Sequence, residues 1–396
     1  MTNYAEKNTA ITGIGQSEIY RKSQVLPFEL ALRACEGAIA DAGLTAADID
    51  GVACWPNTPA GTAYGFGSAS IYDVAVSLGI KPAWWSDASQ AAQISPIMEA
   101  VAAIAAGYAT HVLCFRSVGQ RWVPQGLDQS EVARMAYRAP EGPYEFMMPY
   151  WAPSASIWIG CHASTHMTKY GITKEQMGWI PVVQRRHAAL NPKAIYREPF
   201  THEEYMASRI VTTPFSLLDC DVPCDGTTAV IVSRADVARD MPHRPIKIEA
   251  IAAGGQARLE TWLARPDYPN MALNDAASRM WERTDLKPAD VDTAHLYDGF
   301  TWLTMLWLEA FGFCGEGESG AFIEGGQRIS LDGELPLNPN GGQLSEGRMH
   351  GLGFVHEAVL QLRGQAGARQ VKDVKVSAVG AGGGSLGGAM LLRQDD

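Results

Sequence analysis

Three segments of this 396-residue chain occur twice, and the two copies stand in the same order. The copies are LTAADID at 44–50 and LKPADVD at 286–292, a helix followed by a strand at 99–115 and at 357–379, and an apolar strand at 225–233 and at 386–394. A helix-turn-strand unit repeated in this way predicts two similar α/β halves related by a pseudo-twofold axis.

The regular alternation of strands and helices is interrupted once. From 117 to 212 the sequence is rich in charged, aromatic and proline residues, and its apolar residues are numerous enough to pack. We therefore predict an inserted loop domain over this range. Segments 1–116 and 213–244 then form the N-terminal half, and 245–396 forms the C-terminal half.

Composition restricts the class of protein. Hydrophobic residues make up 46% and charged residues 19%, which is typical of a folded, soluble chain. A net charge of −11 argues against nucleic acid or an anionic membrane as the main partner. The most apolar stretch, 300–313, contains Glu309 and is too short to span a membrane. The start shows no secretory signal pattern, so we expect a cytoplasmic protein.

The cysteines do not indicate a metal site. Seven are scattered along the chain, and none forms a pair at zinc-finger spacing with a second Cys or His pair. In a cytoplasmic protein we expect them to be reduced thiols. His162 and His166 stand four residues apart on one predicted helix, but without a third ligand we interpret them as structural.

A glycine-rich loop at 338–353, NPNGGQLSEGRMHGLG, precedes a predicted helix at 354–363. The loop carries four polar side chains within six residues: Ser345, Glu346, Arg348 and His350. A helix start has free N–H groups and partial positive charge, so such a loop suits an anion or a developing oxyanion. The alternative is an ordinary polar surface turn.

A second segment, HLYDGF at 295–300, completes a pattern that resembles the thiolase superfamily. The resemblance covers nearly the whole chain and is closest to the lipid-transfer-protein branch, related to the thiolase domain of sterol carrier protein X. It depends on AITGIGQSE, on the HLYDGF–LEAFGFCGEGESG run, on LPLNPNGGQLSEGRMHGLGFVHEAVLQLRG and on the terminal glycine cluster. It implies an α/β thiolase fold, with two βαβαβαββ halves in an α/β/α/β/α sandwich and a loop domain inserted in the first half.

The resemblance also shows what this chain has lost. The family's nucleophilic cysteine corresponds to Gln90, its second cysteine to Gly380, and the histidine of its Gly-His-Pro motif to Arg348. Tyr297 stands where the family has Asn or His. Claisen condensation through an acyl-cysteine is therefore not expected.

Thiolase-like aldolases of steroid side-chain breakdown are similar to this chain, and they cleave β-hydroxyacyl-CoA thioesters by a retro-aldol reaction. They use tyrosines at the positions of Tyr297 and Arg348, and only the first is kept here. The resemblance implies Tyr297 as acid or oxyanion donor, and we assign His350 as base and Arg348 as electrostatic clamp. The supporting residues we expect are Asp298, Ser345, Glu346 and Gln90.

The resemblance further implies a CoA thioester as substrate without a bound cofactor, a homodimer, and a heteromer with an OB-fold, zinc-ribbon protein. Two other functions stay open. The chain is then either a non-catalytic subunit that binds acyl-CoA or lipid and scaffolds a partner, or an acyltransferase that works without cysteine. Aromatic residues of the insertion suit an apolar acyl chain or simply pack the domain: Tyr144, Phe146, Tyr150, Trp151 and Trp158.

Overall fold

The computed structural model describes residues 4–55, 69–87, 91–123, 125–128, 130–131, 145, 147–152, 154–255 and 270–394. Within them, nine strands form one mixed sheet and two short strands form a separate hairpin. The strands are β1 Thr9–Gln16, β2 Gly51–Cys54, β3 Trp84–Ser86, β4 His111–Gly119, β5 Ile210–Thr212, β6 Phe215–Ser216, β7 Asp225–Arg234, β8 Ile246–Gly255, β9 Thr293–Leu296, β10 Val376–Gly382 and β11 Leu386–Gln394.

The α-helices are α1 Pro27–Asp41, α2 Ile71–Leu78, α3 Ser95–Ala105, α4 Ala155–Tyr170, α5 Lys174–Met177, α6 Trp179–Ala189, α7 His202–Met206, α8 Ala235–Ala238, α9 Ala272–Trp281, α10 Thr301–Ala310, α11 Ser319–Ile323, α12 Gly342–Ser345 and α13 Leu352–Leu362. Most of the α-helices alternate with these strands, and α4 to α7 lie within the predicted insertion at 117–212. None of the helices in the described ranges has the length and apolar character needed to cross a membrane.

The sheet contains the predicted internal repeat. Its strand order is β3-β2-β4-β7-β1-β8-β11-β10-β9, so each half runs outward from the centre in the same sequence of equivalent strands. The repeated segments lead into or form the pairs β2/β9, β4/β10 and β7/β11. In the first half, β3 lies beside β2. In the second half, among the described residues, the matching place beside β9 holds only Leu337, which makes an isolated parallel bridge to Ala294. The halves join where Ala10 and Ile11 of β1 pair with β8. The predicted α/β fold of two related halves is confirmed.

Three apolar clusters define the layers. One packs α1 and α2 against the N-terminal strands. A second places α3 and α13 between the strands of both halves, which makes them the central helical layer. The third packs α9 and α10 against the C-terminal strands and includes Ile159 and Ala163 of α4 and Ile180 of α6. Helices α4 and α6, which lie within the predicted insertion, therefore pack against the C-terminal strands, and this position brings α4 to the site described below.

Each half brings a helix very close to its first strand at a glycine. A Cβ atom on Gly15 of β1 would lie 2.1 Å from the carbonyl oxygen of Ala34 in α1. A Cβ on Gly254 of β8 would lie 1.8 Å from the carbonyl oxygen of Ala272 in α9. Because backbone atoms cannot move aside as a side chain can, these contacts require glycine.

We predict that Gly15→Ala lowers the free energy of unfolding by about 1–3 kcal/mol, because the added methyl group forces α1 away from β1. Gly37→Ala is the matched control on the facing helix, where the new Cβ would meet its nearest atom at 3.7 Å. The control should be neutral or stabilising by up to about 1 kcal/mol, since alanine favours helix. Urea unfolding of both variants measures the difference, and equal effects would contradict the close contact at Gly15.

Candidate active site

A cavity of about 550 Å³ lies between the two halves and the insertion. Elements that are distant in sequence supply its walls. The lining residues are Trp55, Ala92, Gln93, Ser154, Ala155, Trp158, Ile159, Asp221, Tyr297, Gly299, Phe300, Leu303, Arg348, His350 and Gly382–Leu386. The two segments singled out in the sequence therefore meet at one site.

Tyr297 follows directly after β9 and turns its ring into the cavity. Its N–H donates to the carbonyl of Gly380 at 3.0 Å, which continues the sheet by one residue. A Cβ on Gly299 would lie 2.6 Å from the Tyr297 ring, so this glycine lets the ring lie against the backbone. Burial raises the pKa of the phenol well above its usual value, and the nearby Asp221 adds to the effect. Tyr297 is therefore a neutral hydrogen-bond donor.

His350 is placed by a tight turn immediately before α13. Its φ is +61° and that of Gly351 is +89°, both in the left-handed region. A Cβ on Gly351 would lie 2.4 Å from Cβ of Gln93, so the turn is pressed against the start of α3. The imidazole ring then stands 6.0 Å from the Tyr297 ring, centroid to centroid, with the planes at 62°.

Arg116 sets the tautomer of His350. Its Nη2 lies 3.0 Å from Nδ1 of His350. A guanidinium only donates, so Nδ1 accepts and the ring proton sits on Nε2. Burial lowers the pKa of His350 well below its usual value, and the positive charges of Arg116 and Arg348 lower it further. His350 is thus a neutral imidazole with its proton on Nε2. That nitrogen lies 3.3 Å from the side-chain nitrogen of Gln93, so the Gln93 amide must turn to present its oxygen, which otherwise has no hydrogen-bond partner, to the ring.

Trp55 holds this arrangement from the other side. The guanidinium carbon of Arg116 lies 4.4 Å from the centroid of the Trp55 ring, a cation–π contact. The same indole meets His350 edge to face at 5.3 Å. Burial lowers the pKa of Arg116 to about 9, which still leaves it charged at neutral pH.

Arg348 is not a lone cation in the cavity. Its Nε donates to Oδ2 of Asp221 at 2.5 Å, and its Nη2 donates to Oδ1 of the same carboxylate. Burial opposes the charge on Arg348, but the paired Asp221 more than offsets this and raises the pKa of the guanidinium. The positive charge expected of Arg348 is therefore largely neutralised, and a carboxylate reaches the cavity with it.

Asp298 lies behind the loop rather than in the cavity wall. Its carboxylate accepts the N–H groups of Gln343 at 3.0 Å and Leu344 at 3.3 Å, at the start of α12. Burial raises the pKa of Asp298 to about 7, against the effect of these donors. This residue ties the segment after β9 to the glycine-rich loop.

Ser345 and Glu346 also support the loop from behind. The hydroxyl of Ser345 accepts from Nε of Arg185 at 2.8 Å. Glu346 accepts from the side-chain amides of Asn191 at 2.9 Å and Asn340 at 2.6 Å, and burial raises its pKa to about 8. Neither is among the described residues that line the cavity.

The structure describes some of the other expected site residues and not others. Gln90 lies outside the described residues, and so do Tyr144 and Phe146 of the predicted insertion. Trp158 lines the cavity, as an acyl-binding aromatic would. Tyr150 and Trp151 are 72% and 84% exposed.

No cysteine is among the described residues that line the cavity. At the position of the family's second cysteine, a Cβ on Gly380 would lie 2.7 Å from the indole of Trp307. The tryptophan therefore occupies the space that a thiol would need. His166 pairs with Glu309 at 3.1 Å, and the described part of the chain contains no group of three or more His, Cys, Asp or Glu residues suited to a metal ion.

Four of these residues escaped the sequence reasoning: Trp55, Gln93, Arg116 and Asp221. They come, in that order, from the residue after β2, the 3-10 turn before α3, strand β4 and the segment before β7. None stands in a spacing motif. The only available indication was a charged residue, Arg116, directly after the predicted apolar strand at 110–115.

Known proteins resemble this chain over its full length. A family profile described as "Thiolase C-terminal domain-like" matches residues 254–392. The chain is 34% identical to a steroid side-chain-cleaving aldolase of Thermomonospora curvata, over 98% of both chains. It is 34% identical to a 17-hydroxy-3-oxo-4-pregnene-20-carboxyl-CoA lyase of Mycobacterium tuberculosis, over 97% of this chain and 98% of that one.

A solved structure described as "Ltp2-ChsH2(DUF35) aldolase" matches with a TM-score of 0.87 and 33% identity, over 98% of each chain. Sequence identity of 33–34% over almost the whole of each chain, together with the duplicated fold, establishes the family of this chain. The chain belongs to the thiolase superfamily, in the branch related to sterol carrier protein X that includes these aldolases.

Proposed function

We propose that this protein is an acyl-CoA carbon–carbon lyase that cleaves a β-hydroxyacyl-CoA by a retro-aldol reaction. One observation carries the proposal: two neutral hydrogen-bond donors, the phenol of Tyr297 and the Nε2–H of His350, belong to rings that lie side by side in the cavity wall. The described cavity wall contributes no sulfur nucleophile to compete with this chemistry.

The reaction requires donors at the thioester and a base at the hydroxyl. As the bond between Cα and Cβ breaks, its electron pair moves onto the thioester and produces an enolate. Preorganised donors in a site that excludes water stabilise such a developing oxyanion strongly. Tyr297 and His350 supply these donors, and the phenol also holds a proton that the enolate carbon needs.

We assign His350 a donor role rather than the base role expected from its place in the sequence. Its Nδ1 already accepts from Arg116. Protonating the ring would place a second positive charge against that guanidinium in a buried site, which is unfavourable. The geometry therefore favours a permanently neutral imidazole.

The proposed substrate is a bulky β-hydroxyacyl-CoA. The name of the mycobacterial relative specifies a hydroxyl on carbon 17 and a CoA-linked carboxyl on carbon 20, so that hydroxyl is β to the thioester carbonyl. A cavity of 550 Å³ falls within the range of about 300–1,000 Å³ typical of ligand sites. Trp158, Phe300 and Leu303 give it apolar walls.

We further propose that the active form is a heteromer with an OB-fold, zinc-ribbon protein, built on a homodimer of this chain in the cytoplasm. The name of the solved aldolase includes a second component, ChsH2(DUF35). Co-expression with such a protein from the neighbouring reading frame, followed by light scattering of the purified complex, tests this association.

We predict that the purified complex splits 17-hydroxy-3-oxo-4-pregnene-20-carboxyl-CoA into a ketone and a shorter acyl-CoA. Tyr297→Phe should lower kcat/KM by about 10²–10⁴-fold, because the donor hydroxyl is lost while the ring remains. Tyr196→Phe is the matched control, since its hydroxyl contacts Arg21 and it is not among the described lining residues.

A fully active Tyr297→Phe variant would refute the role of the phenol. Ligand-induced thermal stabilisation without turnover would instead identify a binding subunit. An acyl-enzyme trapped in mass spectrometry would identify an acyltransferase.

We predict that His350→Ala lowers kcat by about 10²–10³-fold, the loss typical of one oxyanion donor. His350→Gln should retain most of the activity, because its amide N–H reaches the position of Nε2 and needs no proton transfer. Single-turnover rates of the two variants measure the difference. If glutamine is as damaging as alanine, His350 acts as a base after all.

A further inference from the structure

We infer that Asp221 is the general base that removes the proton from the β-hydroxyl, with Arg348 as its positioning residue. The inference rests on the proposed lyase function and assigns the remaining role in it. It begins from geometry: the carboxylate of Asp221 lines the same cavity as Tyr297 and His350, and its side chain is only 6% exposed.

The backbone around Asp221 is fixed by the two segments that form the site. Its N–H donates to the carbonyl of Gly299 at 3.3 Å, next to Tyr297. Its neighbour Val222 donates to Gln343 at 2.9 Å and accepts from the N–H of Arg348 at 2.8 Å. The carboxylate is therefore held between the segment after β9 and the glycine-rich loop.

The ion pair with Arg348 leaves the carboxylate able to accept a proton. Each carboxylate oxygen has two lone pairs, and the guanidinium uses one on each oxygen. The second lone pair on each oxygen can then accept from a substrate hydroxyl. Burial raises the pKa of Asp221 while Arg348 opposes the shift, so the carboxylate is a stronger base than one in water.

The proposed step balances without any cofactor. The β-hydroxyl gives its proton to Asp221, its oxygen becomes a ketone, and the Cα–Cβ bond breaks. The electron pair forms the thioester enolate at His350 and Tyr297. Tyr297 then protonates Cα, and the proton on Asp221 returns to the phenolate through solvent. Nothing is oxidised or reduced.

Other titratable groups face Asp221, and their titration must be distinguished from that of Asp221 in a pH profile. They are Arg348, Tyr297, Asp298, Cys220 and Cys224. Burial raises the pKa values of both thiols and of the Tyr297 phenol, and Asp221 raises that of Arg348. All four pKa values lie above the neutral range. Asp298 has a pKa of about 7 and is the one that requires its own control.

The test measures kcat/KM against pH for the complex with 17-hydroxy-3-oxo-4-pregnene-20-carboxyl-CoA. Asp221→Asn should lower kcat by at least about 100-fold, the usual contribution of a general base, while binding of the product acyl-CoA is kept. Arg348→Gln should stay partly active and move the acid limb of the profile to higher pH, because the charge that lowers the pKa of Asp221 is gone. Asp298→Asn should leave that limb in place.

The double variant Asp221→Asn/Arg348→Gln covers the case in which the single variant fails to fold, since it replaces the ion pair with two hydrogen-bonding amides. It should be folded by circular dichroism and as inactive as Asp221→Asn. Two results would overturn the base assignment while leaving the lyase function in place. One is an Asp221→Asn complex whose kcat falls by less than about tenfold, and the other is an Arg348→Gln complex whose acid limb lies at the same pH as that of the wild type. A wild-type complex that cleaves no β-hydroxyacyl-CoA overturns the lyase function and this inference with it.

Discussion

The site depends on main-chain hydrogen bonds that join three segments far apart in sequence. The residues after β9, the glycine-rich loop before α13 and the stretch around Asp221 are linked carbonyl to N–H. The buried carboxylate of Asp298 adds two more bonds to the loop. Because all three segments lie at the junction of the two halves and the insertion, the cavity is a product of the whole fold and of no single domain.

The cavity carries different reactive groups from the cysteines of the thiolase family. Gly380, the expected counterpart of the family's second cysteine, lies against Trp307, which fills the space beside it. Restoring a cysteine there would meet the indole, so sulfur chemistry is excluded by packing at that position as well as by sequence. In its place the cavity presents a phenol, a neutral imidazole and a paired carboxylate, which are groups suited to moving protons without a covalent intermediate.

Much of the fold could be predicted from the sequence because the repeat and the alternation of apolar segments are local patterns. The same reasoning located Tyr297 and Arg348, since each stands at a position of a family motif, and His350, which lies two residues after Arg348 in the same polar loop. It could not assign their chemical states. The neutral form of His350 depends on burial and on the charge of Arg116, and the neutralised charge of Arg348 depends on Asp221; both partners lie more than a hundred residues away. Contacts between residues so far apart in the chain produce no recognisable pattern of residue spacing in the sequence.

Two buried acids behind the glycine-rich loop, Asp298 and Glu346, hold protons more tightly than in the unfolded chain, with pKa values of about 7 and about 8. A group whose pKa is raised on folding stabilises the folded state most fully at low pH, and this contribution disappears as the pH rises through the raised value. Neither acid is among the described residues that line the cavity, yet both hold the glycine-rich loop that leads to His350. We therefore expect the support of the glycine-rich loop to weaken as the pH rises through this range, at two groups that take no part in the proposed chemistry.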